Sequence, residues 1–338
     1  MVKKIALLIL GIMLLAGTSL ADVQLTGAGA TFPYPIYSKW FHEYNRQNPG
    51  IKINYQSIGS GGGVRQIIAR TVDFGASDAP MTESELKAAD APLMHIPTVI
   101  GSVAIVYKLN GIAALKMTPD ILAEIFLGAI KKWDDEKIAA LNPGANLPDK
   151  DIMVVHRSDG SGTTDIFTDY LSKVSTKWAS QVGRGKSVNW PAGIGAKGNE
   201  GVSGAVKQNE GSIGYTELSY AEINKLSTIA MKNKAGKFVK PSLDSTSAAA
   251  AGAIAKIPAD YRVSITNAAG AASYPISGFT WLLVYKQQGN PEKGKTMVDF
   301  LKWAMSEQAQ GFAASLYYAP LPKELVQRVQ KTIDTIKY

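Results

Sequence analysis

The chain has 338 residues, 46% of them hydrophobic, enough for more than one domain and for sizeable buried cores. It contains no cysteine, which removes disulfides, thiolate metal sites, Cys nucleophiles and a lipid anchor on Cys. The formal net charge is +8, but Lys and Arg are dispersed, with no basic run or aromatic-interleaved patch; this argues against nucleic acid and leaves a mild positive field suited to small anions.

The first 21 residues read as an export signal. Lys3 and Lys4 give a basic start, Ile5–Leu15 is an apolar run of about eleven residues, and Ser19-Leu20-Ala21 puts small residues where a signal peptidase cuts. The run is too short for a bilayer span, which takes roughly 20 apolar residues. Its removal takes away two lysines and no acid, leaving +6. Export without a lipid anchor points to the periplasm of a two-membrane bacterium, or to secretion.

The mature chain opens with a predicted strand, Val23 to Thr26, then Gly27-Ala28-Gly29-Ala30-Thr31-Phe32-Pro33. Ile36, Trp40, Phe41 and Tyr44 recur at helical spacing until Asn48-Pro49-Gly50. Ile51 to Tyr55 alternates like a strand; Ser60-Gly61-Gly62-Gly63 leads into a helix bearing Val64, Ile67 and Ile68; Val72 to Asp78 reads as a short strand ending in a turn. This strand–loop–helix alternation argues for α/β layers with a mostly parallel sheet. Ile100 to Tyr107 is an apolar strand, followed by helices over Thr118–Phe126 and Asp134–Leu141 with Trp133 between them. Ile152 to Val155 is a buried strand, and helical periodicity resumes at Ile166, Phe167 and Tyr170. Asn199–Val206 and the Ala-rich Thr246–Ala255 are further helices, Phe279–Tyr285 is a second apolar strand, and three helical stretches follow from Pro291. With no repeat and no Pro-rich linker, two lobes would be joined by strands, and Ile100–Tyr107 with Phe279–Tyr285 are the candidates for that double crossing. Buried strands within a single sheet would read the same way.

Three segments place Gly with Ser or Thr between a strand and a helix start: Gly27–Phe32, Gly59–Gly63 and Asp159–Thr164. A helix N-terminus carries N–H groups without internal partners and about half a positive charge, so it attracts an oxyanion. Ser, Thr and Asp also cap helices for structural reasons alone, so one such segment says little. Three in one α/β chain, with Arg157 beside the third, point to a shared oxyanion. Other chemistries find no support. Gly27-Ala28-Gly29 fails the dinucleotide fingerprint because Phe32 stands at the third Gly position. There is no Walker loop, no G-x-S-x-G elbow and no H-E-x-x-H, and His42, His95 and His156 lie far apart.

TGAGATFPYPIYSKW, IGSGGGVRQI, VDFGASDAP and RSDGSGTTDIF stand in the order and spacing of the phosphate-binding receptors of bacterial ABC-type phosphate importers, the PstS family, which this chain resembles. KKWDDEKIAALNP, NWPAGIGAKGNEGV, GSIGYTELSYA and YYAPLP are similar to that family as well, so the resemblance covers nearly all of the mature chain. It implies a two-lobed, type II periplasmic-binding-protein fold, each lobe a central mixed β-sheet flanked by helices. The implied lobes are 22–100 plus 275–338, and 101–274, with phosphate held between them. It implies a phosphate-binding set: Thr31 by hydroxyl and amide, Phe32 by its amide, Ser60 by its hydroxyl, Arg157 by charge-assisted bonds, and Ser161, Gly162 and Thr163 by amides and hydroxyls. Asp159 would orient the Arg157 guanidinium. Asp78 would accept the proton that phosphate keeps at neutral pH and sulfate lacks; such a fixed partner discriminates by about 10⁴ or more. The resemblance further implies a monomer that needs no cofactor or metal, binds without catalysis, and delivers phosphate to membrane permease subunits.

Read from the residues alone, Asp78 also fits a turn before Ala79-Pro80, and Arg157 a surface ion pair. Gly61 departs from the family pattern, where many relatives carry a second Ser. His156 fits a structural role better than a place in the cleft. Two rival functions are a phosphatase using Ser60 or Ser161, which lacks a candidate base, and a receptor for sulfate, molybdate or another oxyanion. Arsenate shares phosphate's shape and protonation, and the residues do not separate the two.

Overall fold

The computed structural model describes residues 23–338; the segment read as an export signal, 1–21, lies outside the described residues. The chain begins with β1 (Val23–Gly29), α1 (Tyr34–Gln47), β2 (Ile51–Ser57), α2 (Ser60–Ile68) and β3 (Phe74–Ser77). After α3 (Glu83–Ala88) come β4 (Leu93–Tyr107), β5 (Leu115–Met117), α4 (Pro119–Phe126), α5 (Glu136–Leu141), β6 (Met153–Arg157) and α6 (Gly162–Val174). Then follow α7 (Thr176–Gln181), β7 (Ile194–Ala196), α8 (Gly198–Gln208), β8 (Ser212–Glu217), α9 (Leu218–Ile223), β9 (Ser227–Lys232), β10 (Phe238–Val239) and α10 (Leu243–Ala251). The chain returns through β11 (Ser277–Tyr285) and closes with α11 (Pro291–Ala304), α12 (Glu307–Ser315) and α13 (Lys323–Ile333).

The strands run in the order β2-β1-β3-β11-β4-β8-β6-β7. Within each half the pairing is parallel as expected, β2–β1–β3 on one side and β8–β6–β7 on the other. The sheet as a whole is mixed, which corrects the mostly parallel reading: β11 runs antiparallel to β3 and β4, and β4 antiparallel to β8. β4 is the reason. Its Leu93–Ser102 stretch pairs with β11, and from Val103 it pairs with β8, so one strand serves both halves. The returning chain crosses beside it, with the Val103 N–H donating to the Ile276 carbonyl at 2.7 Å. β11 is buried along its whole length and β4 along nearly all of it, so both read as continuous apolar runs rather than alternating ones.

β4 begins seven residues earlier than its sequence signal because Pro97 interrupts the pattern. The register against β11 shifts between Thr280 and Trp281, opposite Pro97–Val99. The extra residue is Thr98, and the bulge it makes lies beside Pro97, which cannot donate to the ladder. β1 runs to Gly29, three residues beyond its apolar signal, because its glycines pair with both β2 and β3. Helix α1 turns Ile36, Tyr37, Trp40, Phe41 and Tyr44 inward, and the Trp40 indole donates to the Ala309 carbonyl of α12 at 2.7 Å. The first helix of the described residues is thereby tied to the penultimate one.

Helix α2 lies against the β1–β3 pair with no room to spare. A Cβ on Gly63 would come within 2.6 to 2.7 Å of the Ala28 and Ala76 carbonyls and the Gly29 Cα, all backbone that cannot swing away. Gly63→Ala gains about 1 kcal/mol of helix propensity but incurs overpacking of about 1–3 kcal/mol, so the clash wins. We expect Gly63→Ala to lower the melting temperature in a thermal scan, while Gly50→Ala, whose Cβ meets nothing within 4 Å, leaves it unchanged.

Candidate functional site

The three Gly–Ser/Thr turns meet. Helix α2 starts at Ser60 behind Gly59, whose φ of 87° only glycine adopts readily and which offers no side chain to cap the helix. The Gly61 N–H, which has no partner within the helix, is instead satisfied by the Gly160 carbonyl at 2.8 Å. Helix α6 is capped by Ser161, whose hydroxyl accepts from the Thr164 N–H at 3.0 Å. The two helix starts join where the Gly162 N–H donates to Ser60 Oγ at 3.0 Å.

Asp78 sits at the end of β3 beside this junction, 2% exposed. Thr280 donates to its Oδ1 at 2.8 Å, and Ser60 Oγ lies 3.3 Å from its Oδ2. Burial lifts its carboxyl from the ordinary 3.8 to about 7, against the pull of Thr280, Arg157 and Ser60. Arg157, at the end of β6, is equally buried. Its guanidinium donates twice to Asp159, Nε to Oδ1 at 2.8 Å and Nη2 to Oδ2 at 2.5 Å, and Nη1 lies 3.4 Å from Thr163 Oγ1. Burial works against the Asp159 charge, but hydrogen bonding and charge from Arg157 outweigh it and hold the carboxyl below its ordinary value. The Gly198 N–H adds a third bond to Asp159 at 3.0 Å. Such a buried pair keeps the arginine head rigid while leaving Nη1 turned toward Thr163.

Thr31 closes the ring. Its hydroxyl accepts from Asn199 Nδ2 at 2.8 Å, and the same amide group reaches Thr163 Oγ1 at 3.1 Å. Phe32 is fully buried, with its ring against Gly101. All nine residues singled out in the sequence therefore lie in one contiguous cluster: Thr31, Phe32, Ser60, Asp78, Arg157, Asp159, Ser161, Gly162 and Thr163. Of the third turn's amides, the Ser161 N–H is engaged with the Lys186 carbonyl and the Gly162 N–H with Ser60. Sequence reasoning passed over Asn199 and Thr280. Asn199 stands inside the NWPAGIGAKGNEGV segment, and Thr280 is the one polar residue in FTWLLVY; both signals were present but pointed to no partner. His156 takes no place in the cluster. Its ring stacks on Trp190, with centroids 4.7 Å apart, and Nδ1 lies 3.1 Å from the Arg157 carbonyl. Among the described residues no group of three or more His, Asp or Glu is placed to hold a metal ion.

Two halves meeting over an anion-donor cluster define a solute-receptor fold of the periplasmic-binding-protein type, and a model of the PBP superfamily domain matches residues 16–308. The chain is 50% identical over 332 residues to the phosphate-binding protein PstS of Pasteurella multocida, covering 98% of this chain and 95% of that one. It is 49% identical over 314 residues to PstS of Haemophilus influenzae, covering 92% and 93%. In fold it is similar to a phosphate-binding protein from Stenotrophomonas maltophilia, with a TM-score of 0.70, 21% identity and 91% and 93% of the two chains covered. The chain belongs to the PstS family of phosphate-binding proteins.

The raised Asp78 carboxyl has a consequence for stability. A folded state that holds a proton more tightly than the unfolded chain loses stability as pH rises through the interval between the two values, here from about 4 to about 7. The slope is at most about 1.4 kcal/mol per pH unit. We expect the ligand-free protein to unfold at lower denaturant as pH rises across that window, and Asp78→Asn to flatten this dependence.

Proposed function

We propose that this protein captures inorganic phosphate in the cleft between its two lobes and hands it, unchanged, to the membrane permease of an ABC importer. The observation that carries this reading is the burial of Asp78 beside Ser60, Gly162 and Arg157. A carboxylate repels an anion unless the two share a proton. Phosphate at neutral pH brings one, and sulfate brings none. The first turn contributes Thr31 and the Phe32 amide, the second Ser60, and the third Ser161, Gly162 and Thr163, with Arg157 as the cation. Asp159 holds that guanidinium in place.

The lobes in this reading are 22–100 plus 275–338, and 101–274, moving about the paired crossing of β4 and the chain before β11. Hinged closure is the expected motion of such receptors. The bond from Gly61 to Gly160 and the ion pair of Lys186 with Glu85 at 2.5 Å both bridge these segments, which fits a closed state. Binding without turnover is supported by Ser60 Oγ, which accepts from the Gly162 and Asp78 N–H groups and, among the described residues, hydrogen-bonds to no histidine. In this reading the mature protein works as a periplasmic monomer, released by cleavage after Ala21 of the basic-then-apolar N-terminal segment.

Isothermal titration of the mature protein with phosphate and sulfate tests the reading. Near pH 8 phosphate binds and sulfate is disfavoured by about 10⁴. Asp78→Asn narrows that gap by roughly 10²-fold, because an amide can donate to sulfate. Lowering the pH below about 7 protonates Asp78 in the native protein, turning it from acceptor to donor, so sulfate affinity rises while phosphate binding persists. Equal affinity for the two anions near pH 8, or none for phosphate, rejects the proposal.

A further inference from the structure

A donor from one lobe sets the direction of a donor in the other. Tyr220, on α9, is buried, and its hydroxyl donates to the Thr31 carbonyl at 2.6 Å. Tyr220 belongs to the 101–274 segment and Thr31 to the first turn, so this bond crosses between the two halves. The peptide that joins Thr31 to Phe32 is trans, since the described chain has no cis bond. In a trans peptide the carbonyl and the following N–H lie in one plane and point in opposite directions. A hydroxyl that fixes the Thr31 carbonyl therefore also fixes the Phe32 N–H, on the opposite side of the plane. Among the described residues no hydrogen bond engages that N–H, although Phe32 is fully buried. A buried N–H without a partner is rare, and reads as a donor kept for a ligand.

We infer that Tyr220 is a positioning residue: by holding the Thr31 carbonyl across the cleft, it aims the Phe32 N–H at the anion bounded by Ser60, Asp78, Arg157 and Thr163. The inference rests on the proposed phosphate function and adds to it a link between closure and donor alignment. The Phe32 amide is fully directed only when the second lobe brings Tyr220 into reach. Polarisation acts in the same sense, because an amide that accepts at its oxygen donates more strongly at its nitrogen. Burial also holds the Tyr220 phenol far above its ordinary pKa, so it remains a neutral donor.

The neighbouring peptide supplies an internal control. Tyr318 donates to the Phe32 carbonyl, also at 2.6 Å. The nitrogen of that peptide is Pro33, which carries no hydrogen to aim. Tyr220→Phe and Tyr318→Phe thus remove equivalent buried bonds from adjacent carbonyls, and only the first releases an anion donor.

The test is phosphate titration of the wild type and both variants, by calorimetry and by amide NMR with ¹⁵N-phenylalanine. Wild type binds phosphate, and its Phe32 amide proton moves downfield on binding. Tyr220→Phe weakens phosphate binding about tenfold, the equivalent of one good hydrogen bond to a charged group, and shrinks the Phe32 shift. Tyr318→Phe leaves the Phe32 shift in place. Incorporation of 3-fluorotyrosine at position 220 strengthens the phenol as a donor without reshaping it; it enlarges the shift, and it serves as the readout if Tyr220→Phe does not fold. A Tyr220→Phe protein with wild-type affinity overturns the inference alone, as does one that binds weakly with an unchanged Phe32 shift. An unmoved shift with 3-fluorotyrosine also overturns it. A wild type that binds no phosphate overturns the functional proposal, and this inference with it.

Discussion

The N-termini of α2 and α6 approach each other at backbone distance, and the rest of the site depends on that approach. Ser60 Oγ takes the Gly162 N–H, Gly61 gives its own N–H to Gly160, and Asp78 lies against the junction. Two helix starts bring two partial positive charges to one point. Side chains would keep them apart: a Cβ on Gly162 would stand 2.5 Å from Ser60 Oγ and 2.6 Å from Asp78 Oδ2. Glycine is used here for closeness as much as for conformation. Gly61, where many relatives are expected to carry Ser, belongs to the same logic, since its Cα already faces the Gly160 backbone and a Cβ there would lie 3.2 Å from it.

Burying charge is costly unless every charge has a partner. Arg157 and Asp159 neutralise each other through two hydrogen bonds, with Gly198 as a third support. Asp78 has no cation of its own and answers burial by holding a proton more tightly. The cluster's own groups therefore carry little net charge near neutrality, and an anion entering it meets neutral donors and one arginine rather than a dense positive patch. That arrangement favours a guest able to share a hydrogen with Asp78. The dispersed Lys and Arg residues of the sequence fit this picture, since the site does not need a basic run.

Much of this was legible in the residue order because the informative units are local. A strand, a glycine-bearing turn and a helix start are consecutive in the chain, so Gly27–Phe32, Gly59–Gly63 and Asp159–Thr164 could be read as one device repeated. The apolar runs of β4 and β11 were equally plain, and the two strands pair side by side as far as Ser102–Ser277. What escaped was set by tertiary contact. The start of β4 was hidden by Pro97, which only the bulge opposite Thr280 and Trp281 accommodates. β5, β7 and β10 are too short to carry a periodicity. The Ala-rich helix was expected to reach Ala255 but ends at Ala251, where Gly252 follows. Asn199 and Thr280 became site residues only when the fold brought Thr31, Thr163 and Asp78 to them.

Sharing of a single proton between Asp78 and its guest is the centre of the account, and neutron diffraction from a crystal of the phosphate complex observes it directly. The account predicts one phosphate enclosed by the three turns, with an oxygen within about 2.7 Å of an Asp78 carboxyl oxygen and a hydrogen between them, the geometry of a charge-assisted O–H···O bond. A phosphate held elsewhere on the molecule, or one in the cleft with no hydrogen toward Asp78, would contradict it.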